Sequence, residues 1–108
     1  MLQSEIGARL RNVRYFLARY HGMPVGTARF SYKRDGLIPS AYLTGGNVIA
    51  PFRGRGVYRA LIQNRLDRLR EEGIRLATTQ ASEQATAPIL EKLGFEKVYK
   101  AKVFLVNV

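Results

Sequence analysis

The eight residues Arg53–Ala60, with the sequence RGRGVYRA, constrain the fold of this chain more than any other stretch. They follow an extended apolar run, Tyr42–Phe52, and precede a segment with helical periodicity. Glycine at positions 54 and 56 permits positive φ and removes the Cβ atoms that would hold a ligand away from the backbone. The unpaired N–H groups of a first helical turn, at the positive end of the helix dipole, then form a site suited to phosphate.

The octet alone leaves a second interpretation open, which is a tight strand-to-helix turn bordered by solvated arginines. Two well-known phosphate loops are excluded. The stretch lacks the Gly-Lys-Ser/Thr ending of a P-loop, and it lacks the third glycine and the downstream acid of a Rossmann fingerprint.

Three antiparallel strands are predicted before the loop. Aromatic and β-branched residues favour a strand over Val13–Tyr20, and after a turn at His21–Pro24 a second strand over Val25–Tyr32 completes a hairpin. The third strand is predicted at Ser40–Ala50. The glycine pair Gly45-Gly46 inside it predicts a β-bulge, which would splay this strand from its neighbour.

The chain after the loop alternates helix and strand. Apolar residues at helical spacing predict a helix over Val57–Glu72 that ends at Gly73, and Ile74–Ala81 reads as a strand parallel to the third one. A second helix ends at Gly94. The tail, Lys97–Val108, is extended and hydrophobic and forms one strand or two short ones.

These elements predict a single α/β (α+β) domain over residues 1–108, with a mixed β-sheet of about five to six strands and two main helices. The core spans residues 13–108. The first dozen residues are ambiguous, because Leu2, Ile6 and Leu10 recur at fourfold spacing. This spacing predicts a short amphipathic helix within residues 1–12, which Gly7 weakens.

The composition is that of a folded domain with an excess of positive charge. Apolar residues make up 46% of the 108 residues, and the formal net charge is +10. Such a charge suits nucleic acid, an anionic cofactor or an acidic partner. No apolar run reaches the length of a membrane span, so no membrane partner is expected. The absence of cysteine excludes disulfides and fits a cytoplasmic protein.

Two motifs carry a family resemblance. The loop resembles the acetyl-CoA pyrophosphate loop of the GNAT N-acetyltransferase superfamily, written Gln/Arg-x-x-Gly-x-Gly/Ala. Arg53, Gly56 and Tyr58 occupy its defined positions, and Tyr58 replaces the usual small residue. Downstream, Ile89–Phe95 resembles the superfamily's Tyr-x-x-Leu-Gly-Phe ending. The resemblance covers roughly Val13–Val108, so the usual N-terminal strand and helices are expected to be missing.

The resemblance implies transfer of an acetyl group from acetyl-CoA, as co-substrate, to an amine of a small molecule or a protein. It implies that backbone groups of Val48, Ile49 and Ala50 pair with the pantetheine arm. It also implies that six loop residues cradle the pyrophosphate, namely Arg53, Gly54, Arg55, Gly56, Val57 and Tyr58. No metal site is expected, because the chain has one histidine and no cysteine.

Catalytic groups are harder to assign. Leu90 stands where the family motif carries a tyrosine that acts as the general acid, and no carboxylate occurs between Asp35 and Asp67 to act as a base. The weak catalytic candidates are Tyr42, Ser82, Thr79 and Tyr99, and a structural role explains each of them more readily. His21 reads as an exposed turn residue.

Three functions stay open. The first is an acetyltransferase that relies on proximity and on water-mediated proton removal. The second is a CoA-binding or protein-interaction module with weak or lost catalysis, which Leu90 favours. The third is a basic nucleic-acid-binding domain, which the scattered arginines and the lack of an aromatic RNA-binding motif disfavour.

A chain that begins at the second strand of such a fold leaves the edge of Val13–Tyr20 open. We expect this edge to be covered by residues 1–10, by a second subunit, or by another part of a larger protein to which this chain belongs. A homodimer is the preferred expectation, because two-fold pairing is the commonest closed assembly.

Overall fold

The computed structural model of the protein describes residues 2–10, 12–34, 38–80, 87–99 and 103–107. Within these ranges, one mixed β-sheet carries two α-helices and a 3₁₀ turn. The strands are β1 (Leu2–Leu10), β2 (Val13–Tyr20), β3 (Met23–Lys33), β4 (Ser40–Val48), β5 (Leu76–Gln80), β6 (Glu96–Tyr99) and β7 (Val103–Asn107). The helices are α1 (Val57–Glu71) and α2 (Ala87–Lys92), and the 3₁₀ turn is Ala50–Phe52.

The strands lie in the order β1-β2-β3-β4-β5-β7-β6. The first four form an antiparallel meander, α1 then connects β4 to the parallel strand β5, and β7 lies antiparallel between β5 and β6. The predicted class, a mixed sheet with two main helices, is confirmed. The described residues form seven strands, which is slightly more than the five to six expected, because Leu2–Leu10 adds a strand that was not predicted.

The short helix predicted within residues 1–12 is wrong, because Leu2–Leu10 forms β1. This strand pairs antiparallel with β2 from Leu2 opposite Tyr20 to Leu10 opposite Val13. A spacing of four residues is close to one helical turn and is also a multiple of the two-residue strand period, so the pattern suited both structures. Pairing with β2 decides between them, and it covers the strand edge that was expected to lie open.

A β-bulge lies in β4 at the predicted glycine pair. Thr27 of β3 pairs with Asn47, and Arg29, two residues later, pairs with Thr44, three residues earlier. One extra residue is therefore inserted into β4, and Gly45 has a positive φ of 67° at this point. The prediction of a bulge in the third predicted strand is confirmed.

The bulge adjoins the point where β4 and β5 part. Their parallel pairing ends at Leu43 opposite Thr79, whereas β4 continues to Val48. At this point the Thr79 hydroxyl donates a buried hydrogen bond of 2.8 Å to the Leu43 carbonyl. Within the described residues, the β5 side of β4 beyond Leu43 is left without a partner strand.

Helix α1 buries an apolar face against the sheet. Its buried apolar residues are Val57, Leu61, Ile62, Leu66 and Leu69. They share one core with Phe16, Phe30 and Leu43 of the sheet. The helix therefore holds its N-terminus, and with it the glycine loop, at a fixed place beside the end of β4.

Both α-helices end in a Schellman motif. At the end of α1, Ile74 N–H donates to Leu69 C=O at 2.9 Å, and Gly73 takes a φ of 75°. At the end of α2, Phe95 N–H donates to Leu90 C=O at 3.0 Å, and Gly94 takes a φ of 98°. The two helix ends predicted from these glycines are confirmed.

A polar network ties the C-terminal end of α1 to the sheet. Tyr32 Oη donates to Glu72 Oε1 at 2.5 Å and accepts from Arg14 Nε at 3.1 Å. Arg14 Nη2 also lies 3.4 Å from Glu72 Oε2. Burial is the main cause that raises the pKa of Tyr32, and its hydrogen bond to Glu72 raises that pKa further.

Replacing Tyr32 tests this network. We expect Tyr32→Phe to lower the free energy of unfolding at pH 7 by about 1–2 kcal/mol, since a hydrogen bond to a carboxylate is lost. The folded pKa of Tyr32 lies above its ordinary value of 10.0, so the tyrosine's contribution is complete below pH 10 and is lost as the pH rises through the folded pKa.

Urea unfolding of wild type and variant between pH 7 and pH 11 measures this effect. The stability gap is expected to narrow above pH 10. Tyr15→Phe is the matched control, because Tyr15 is 39% exposed, and its effect should stay within about 0.5 kcal/mol. A gap that widens with rising pH would contradict the assignment.

Candidate functional site

The glycine loop opens a row of backbone donors at the start of α1. Gly54 and Gly56 have φ values of 77° and 81°, and Gly56 is the N-cap of the helix. The first bond of the helix runs from Ala60 N–H to Gly56 C=O at 3.0 Å. In the described structure, the N–H groups of Val57–Arg59 therefore have no acceptor within the helix, and no side chain caps them.

The space in front of these donors is open. A Cβ atom built on Gly54 or Gly56 would meet no heavy atom within 4 Å. The first turn of α1 contains no acidic residue. The loop is thus an exposed concentration of positive partial charge, which suits an anionic group.

The three arginines of the loop adopt different positions. Arg53 Nε donates to Val48 C=O at 3.0 Å, which fixes the loop to the end of β4. The guanidinium of Arg55 lies over the ring of Phe52, 5.3 Å from its centroid. Arg59 extends from the first turn of α1 and is exposed. Two of these side chains, Arg53 and Arg59, face the cleft beside the loop.

This cleft, which we call the loop cleft, has a volume of about 440 Å³. The end of β4, the glycine loop, the first turn of α1 and Ile89 of α2 form its walls. Its lining includes six of the predicted cofactor-binding residues: Val48, Arg53, Gly54, Gly56, Val57 and Tyr58.

The other three predicted cofactor-binding residues lie outside this lining. Ile49 N–H is already bonded to Val25 C=O at 2.9 Å. Ala50 begins the 3₁₀ turn, and its carbonyl accepts from Arg53 N–H at 3.2 Å. Arg55 stacks on Phe52, as described above.

A second cleft of about 420 Å³ lies where β4 and β5 part, and we call it the bulge cleft. Residues 42–47 of β4 form one wall, the end of β5 at Thr79 and Gln80 forms another, and Tyr58 and Arg65 of α1 close it. Gly46, Asn47 and Tyr58 line both clefts. The two clefts therefore adjoin around the ring of Tyr58.

The ring of Tyr58 rests against the bare backbone of Gly46. A Cβ atom at position 46 would lie 2.7 Å from Tyr58 Cε2, which is closer than side chains tolerate. Tyr58 is the loop position where the resemblance expects a small residue. The glycine in the β-bulge provides the room for the larger ring.

The catalytic candidates are placed unequally. Tyr42 and Thr79 line the bulge cleft. The Thr79 hydroxyl donates a hydrogen bond to the Leu43 carbonyl, which is a structural role. Ser82 lies outside the described residues, and so does the side chain of Tyr99. His21 is exposed in the β2–β3 turn, with its ring against the edge of Tyr20 at 4.7 Å between centroids.

Leu90 is buried in the core with 1% of its surface exposed, and it lines neither cleft. The described residues that line the two clefts include no aspartate, glutamate or histidine. The described lining thus offers backbone donors, arginines and tyrosines, and it offers no group that is an efficient base near neutral pH.

Arg65 is the site residue that the sequence reasoning missed. It is 2% exposed, and it donates from Nε to Leu61 C=O at 3.0 Å and from Nη1 to the carbonyls of Arg29 and Thr44 at 3.1 and 3.2 Å. Position 65 falls on the apolar stripe of α1, seven residues after Tyr58. An arginine on such a stripe was the signal that could have identified it.

Burial alters the charge of the site. Desolvation lowers the pKa of Arg65 from the ordinary value of a guanidinium to about 10. Desolvation also raises the pKa of Tyr58, and the positive charge of Arg65 acts against that rise. At neutral pH, Arg65 is therefore a buried cation and Tyr58 is a neutral phenol.

Two kinds of feature are absent from the described residues. No group of three or more histidine, cysteine or acidic side chains is arranged to hold a metal ion. No described helix is long and apolar enough to cross a membrane.

Several solved structures share this fold. The ribosomal-protein-S18-alanine N-acetyltransferase of Escherichia coli superimposes with a TM-score of 0.78 at 18% identity, over 93% of this chain and 72% of that one. A predicted acetyltransferase of Clostridium acetobutylicum, solved with acetyl-CoA, gives 0.71 at 17% identity, over 82% and 61%. The PaiA N-acetyltransferase of Thermoplasma acidophilum, in complex with coenzyme A, gives 0.73 at 12% identity, over 90% and 62%.

This chain therefore spans 61% of the length of the Clostridium protein and 72% of the length of the E. coli enzyme. At these identities, the likeness concerns the fold. No curated protein matches the chain significantly by sequence. A sequence profile described as the Acetyltransferase (GNAT) family, however, matches residues 2–95, which is most of the chain. With its glycine loop, its bulged β4 and this match, the chain belongs to the GNAT family of acetyltransferases.

Proposed function

We propose that the protein binds acetyl-CoA and transfers its acetyl group to an amine. The observation that carries this proposal is the row of unpaired N–H groups at Val57–Arg59, which opens into the loop cleft beside two glycines with positive φ. A pyrophosphate is the ligand group that this combination of donors, dipole and arginine charge suits best.

The residues present fit coenzyme A in two respects. The pyrophosphate would be held by the N–H groups of Val57–Arg59, with Arg53 and Arg59 adding charge. The pantetheine arm would follow β4 beyond Leu43, where the described part of β5 no longer pairs with it. These contacts use backbone groups, so they do not depend on the identity of most side chains in the site.

The acetyl thioester is the chemistry that acetyl-CoA supplies. Transfer forms the C–N bond of an amide, breaks the C–S bond, and moves a proton from the amine to the sulfur of CoA. The described lining residues include no carboxylate or imidazole, so we propose that water carries this proton. Holding the amine beside the thioester then supplies most of the rate enhancement.

A specific observation favours a second function, a CoA-binding module with weak or lost catalysis. The residue at the position of the family's tyrosine, Leu90, is apolar and buried. Calorimetry with acetyl-CoA, followed by a thiol-release assay over a panel of amines, separates the two functions. Binding with turnover supports the transferase, and binding without turnover supports the module.

The remaining proposals concern partners and location. Nucleic acid is not favoured, because part of the positive charge is used within the fold: Arg14 pairs with Glu72, and Arg65 is buried. A homodimer, or assembly within a larger chain, stays a prediction. A dimer was expected to cover an open edge of β2, but β1 covers that edge. The prediction of a dimer now rests on the outer edge of β1. A cytoplasmic location is proposed from the absence of cysteine.

Gly56 provides the sharpest test of the cradle. Gly56→Asp would place a carboxylate at the N-cap, beside the proposed pyrophosphate. We expect CoA affinity to fall by at least about 100-fold, which is roughly 2.7 kcal/mol. The aspartate would meet no neighbouring atom, and its backbone strain at a φ of 81° is smaller than for most residues, because Asp and Asn tolerate the left-handed region better.

Gly56→Asn is the matched control, with the same shape and no charge. We expect it to retain CoA affinity within about tenfold, measured by the same calorimetric titration. Equal binding of CoA by wild type and Gly56→Asp would show that the pyrophosphate lies elsewhere.

Leu90 provides a second test. Because Leu90 is packed in the core, Leu90→Tyr should overfill its site and lower the free energy of unfolding by about 1–3 kcal/mol. Leu90→Met conserves volume and should cost less than about 1.5 kcal/mol. Urea unfolding measures both. We expect no gain in thiol release by Leu90→Tyr at equal folded fraction, and a gain above tenfold would contradict this placement of position 90.

A further inference from the structure

The bulge cleft contains an arginine nitrogen for which the described residues provide no hydrogen-bond acceptor. We propose that Nη2 of Arg65 donates a hydrogen bond to a carbonyl oxygen of bound acetyl-CoA, either an amide carbonyl of the pantetheine arm or the carbonyl of the thioester. Arg65 is then a binding residue that lies outside the glycine loop and acts through its side chain. This inference rests on the proposed function, because it adds a contact along the proposed path of the arm.

Most of the donors of the Arg65 guanidinium are already bonded. Nε donates to Leu61 C=O at 3.0 Å, and Nη1 donates to the carbonyls of Arg29 and Thr44 at 3.1 and 3.2 Å. Of the five N–H donors of a guanidinium, those that remain are on Nη2. They share one nitrogen, so they suit a single acceptor oxygen such as that of a carbonyl, and they cannot form the parallel pair of bonds that a carboxylate accepts.

The Nη2 atom faces the cleft. Arg65 lines the bulge cleft, although only 2% of its surface is exposed. Among the described side chains, the fully buried polar atoms that have no hydrogen-bond partner are Arg68 Nε and Glu72 Oε2. Nη2 of Arg65 also has no described partner, and it is not one of these sealed atoms. This nitrogen therefore retains contact with the space of the cleft, where a ligand can reach it.

Carbonyl dipoles are the groups that compensate the charge of Arg65 in the described part of the chain. The ion pairs there join Arg14, Arg68 and Arg70 to acidic residues, and none of them includes Arg65. Burying a cation is costly unless its donors are bonded, and carbonyl oxygens already bond Nε and Nη1. A carbonyl oxygen at Nη2 would complete the same kind of arrangement.

The proposed path of the arm passes this nitrogen. The pyrophosphate is proposed to lie at Val57–Arg59 in the loop cleft, and the bulge cleft adjoins that cleft around Tyr58. Residues 42–47 of β4 form a wall of the bulge cleft, and Arg65 bonds the carbonyl of Thr44 in this wall. An arm that follows β4 into the bulge cleft therefore brings its carbonyl groups beside Arg65. A contact with the thioester carbonyl would also favour the negative charge that develops on that oxygen during transfer.

The competing explanation is that Arg65 only supports the bulge through the carbonyls of Arg29 and Thr44. A supporting role requires no contact between Nη2 and a ligand. The two explanations therefore differ in the position of the bound arm relative to Nη2, and this position can be observed in the wild-type protein.

A crystal structure of the wild-type protein with acetyl-CoA tests the contact directly. We expect one carbonyl oxygen of the ligand at about 2.7–3.2 Å from Nη2 of Arg65. The same structure distinguishes an amide carbonyl from the thioester carbonyl as the acceptor. A bound arm with no carbonyl oxygen within hydrogen-bond distance of Nη2 would overturn the inference.

Calorimetry with Arg65→Lys tests the contribution of the contact in solution. Lysine keeps the charge but has a single nitrogen, which cannot bond the bulge carbonyls and the ligand in the way that the guanidinium does. We expect the affinity for acetyl-CoA to fall at least about tenfold, since a hydrogen bond from a charged group is lost. The affinity for the nucleotide part of CoA without its arm, 3′-phosphoadenosine 5′-diphosphate, should stay unchanged.

Free CoA identifies the acceptor in the same titrations. A loss confined to acetyl-CoA would identify the thioester carbonyl, and an equal loss for CoA and acetyl-CoA would identify an amide carbonyl. Arg59→Gln is the contrasting variant, because Arg59 lies at the proposed pyrophosphate site. It should weaken the nucleotide, CoA and acetyl-CoA by similar factors. If Arg65→Lys weakens all three ligands equally, or weakens none of them, Arg65 makes no contact with the arm and the inference is wrong.

The results also separate the two proposals. Failure of the wild-type protein to bind CoA or acetyl-CoA would refute the proposed function and this inference with it. Binding of acetyl-CoA that does not depend on Arg65 would refute this inference alone.

Discussion

The extra residue that β4 carries between Thr44 and Asn47 is the constraint on which the site depends. The bulge directly follows the last pair that β4 forms with β5, Leu43 opposite Thr79. At this last pair the Thr79 hydroxyl donates a hydrogen bond to the Leu43 carbonyl. Because β4 continues to Val48 beyond this point, its backbone borders a cleft instead of a strand.

Helix α1 completes the arrangement from the other side. Its apolar face fixes it to the sheet, and the network of Tyr32, Arg14 and Glu72 holds its C-terminal end. Its N-terminus therefore lies at a fixed position beside the opened sheet. One helix thus supplies the donors of the loop cleft, and it also supplies Arg65, whose bonds to Arg29 and Thr44 support the bulge itself.

Much of this fold could be predicted from the sequence because local signals agreed with the tertiary structure. Gly73 and Gly94 end the two helices as their left-handed conformations require, and the Gly45-Gly46 pair marks the bulge. The first strand could not be identified, because fourfold spacing fits both a helix and a strand and only pairing with β2 decides between them.

The backbone part of the candidate site could be predicted from the sequence more fully than its side chains could. The glycine loop identified the donors at Val57–Arg59, since that geometry follows from glycine and a helix start. Arg65 went unrecognised although it falls on the apolar stripe of α1, because its bonds to the carbonyls of Arg29 and Thr44 depend on how α1 lies over β3 and β4. The motif showed that position 90 carries leucine in place of the tyrosine acid, but it could not show that Leu90 is packed in the core.

The contact between Tyr58 and Gly46 has a consequence for how this sequence can change. A Cβ atom at position 46 would lie 2.7 Å from the ring, so a residue larger than glycine there requires the ring of Tyr58 to move. A smaller residue at position 58 would remove that requirement. Substitutions at the two positions are therefore epistatic, and their order matters: a change at position 46 costs less after position 58 has become smaller. Across related sequences the two sites should covary, with glycine at the bulge wherever the loop carries an aromatic ring.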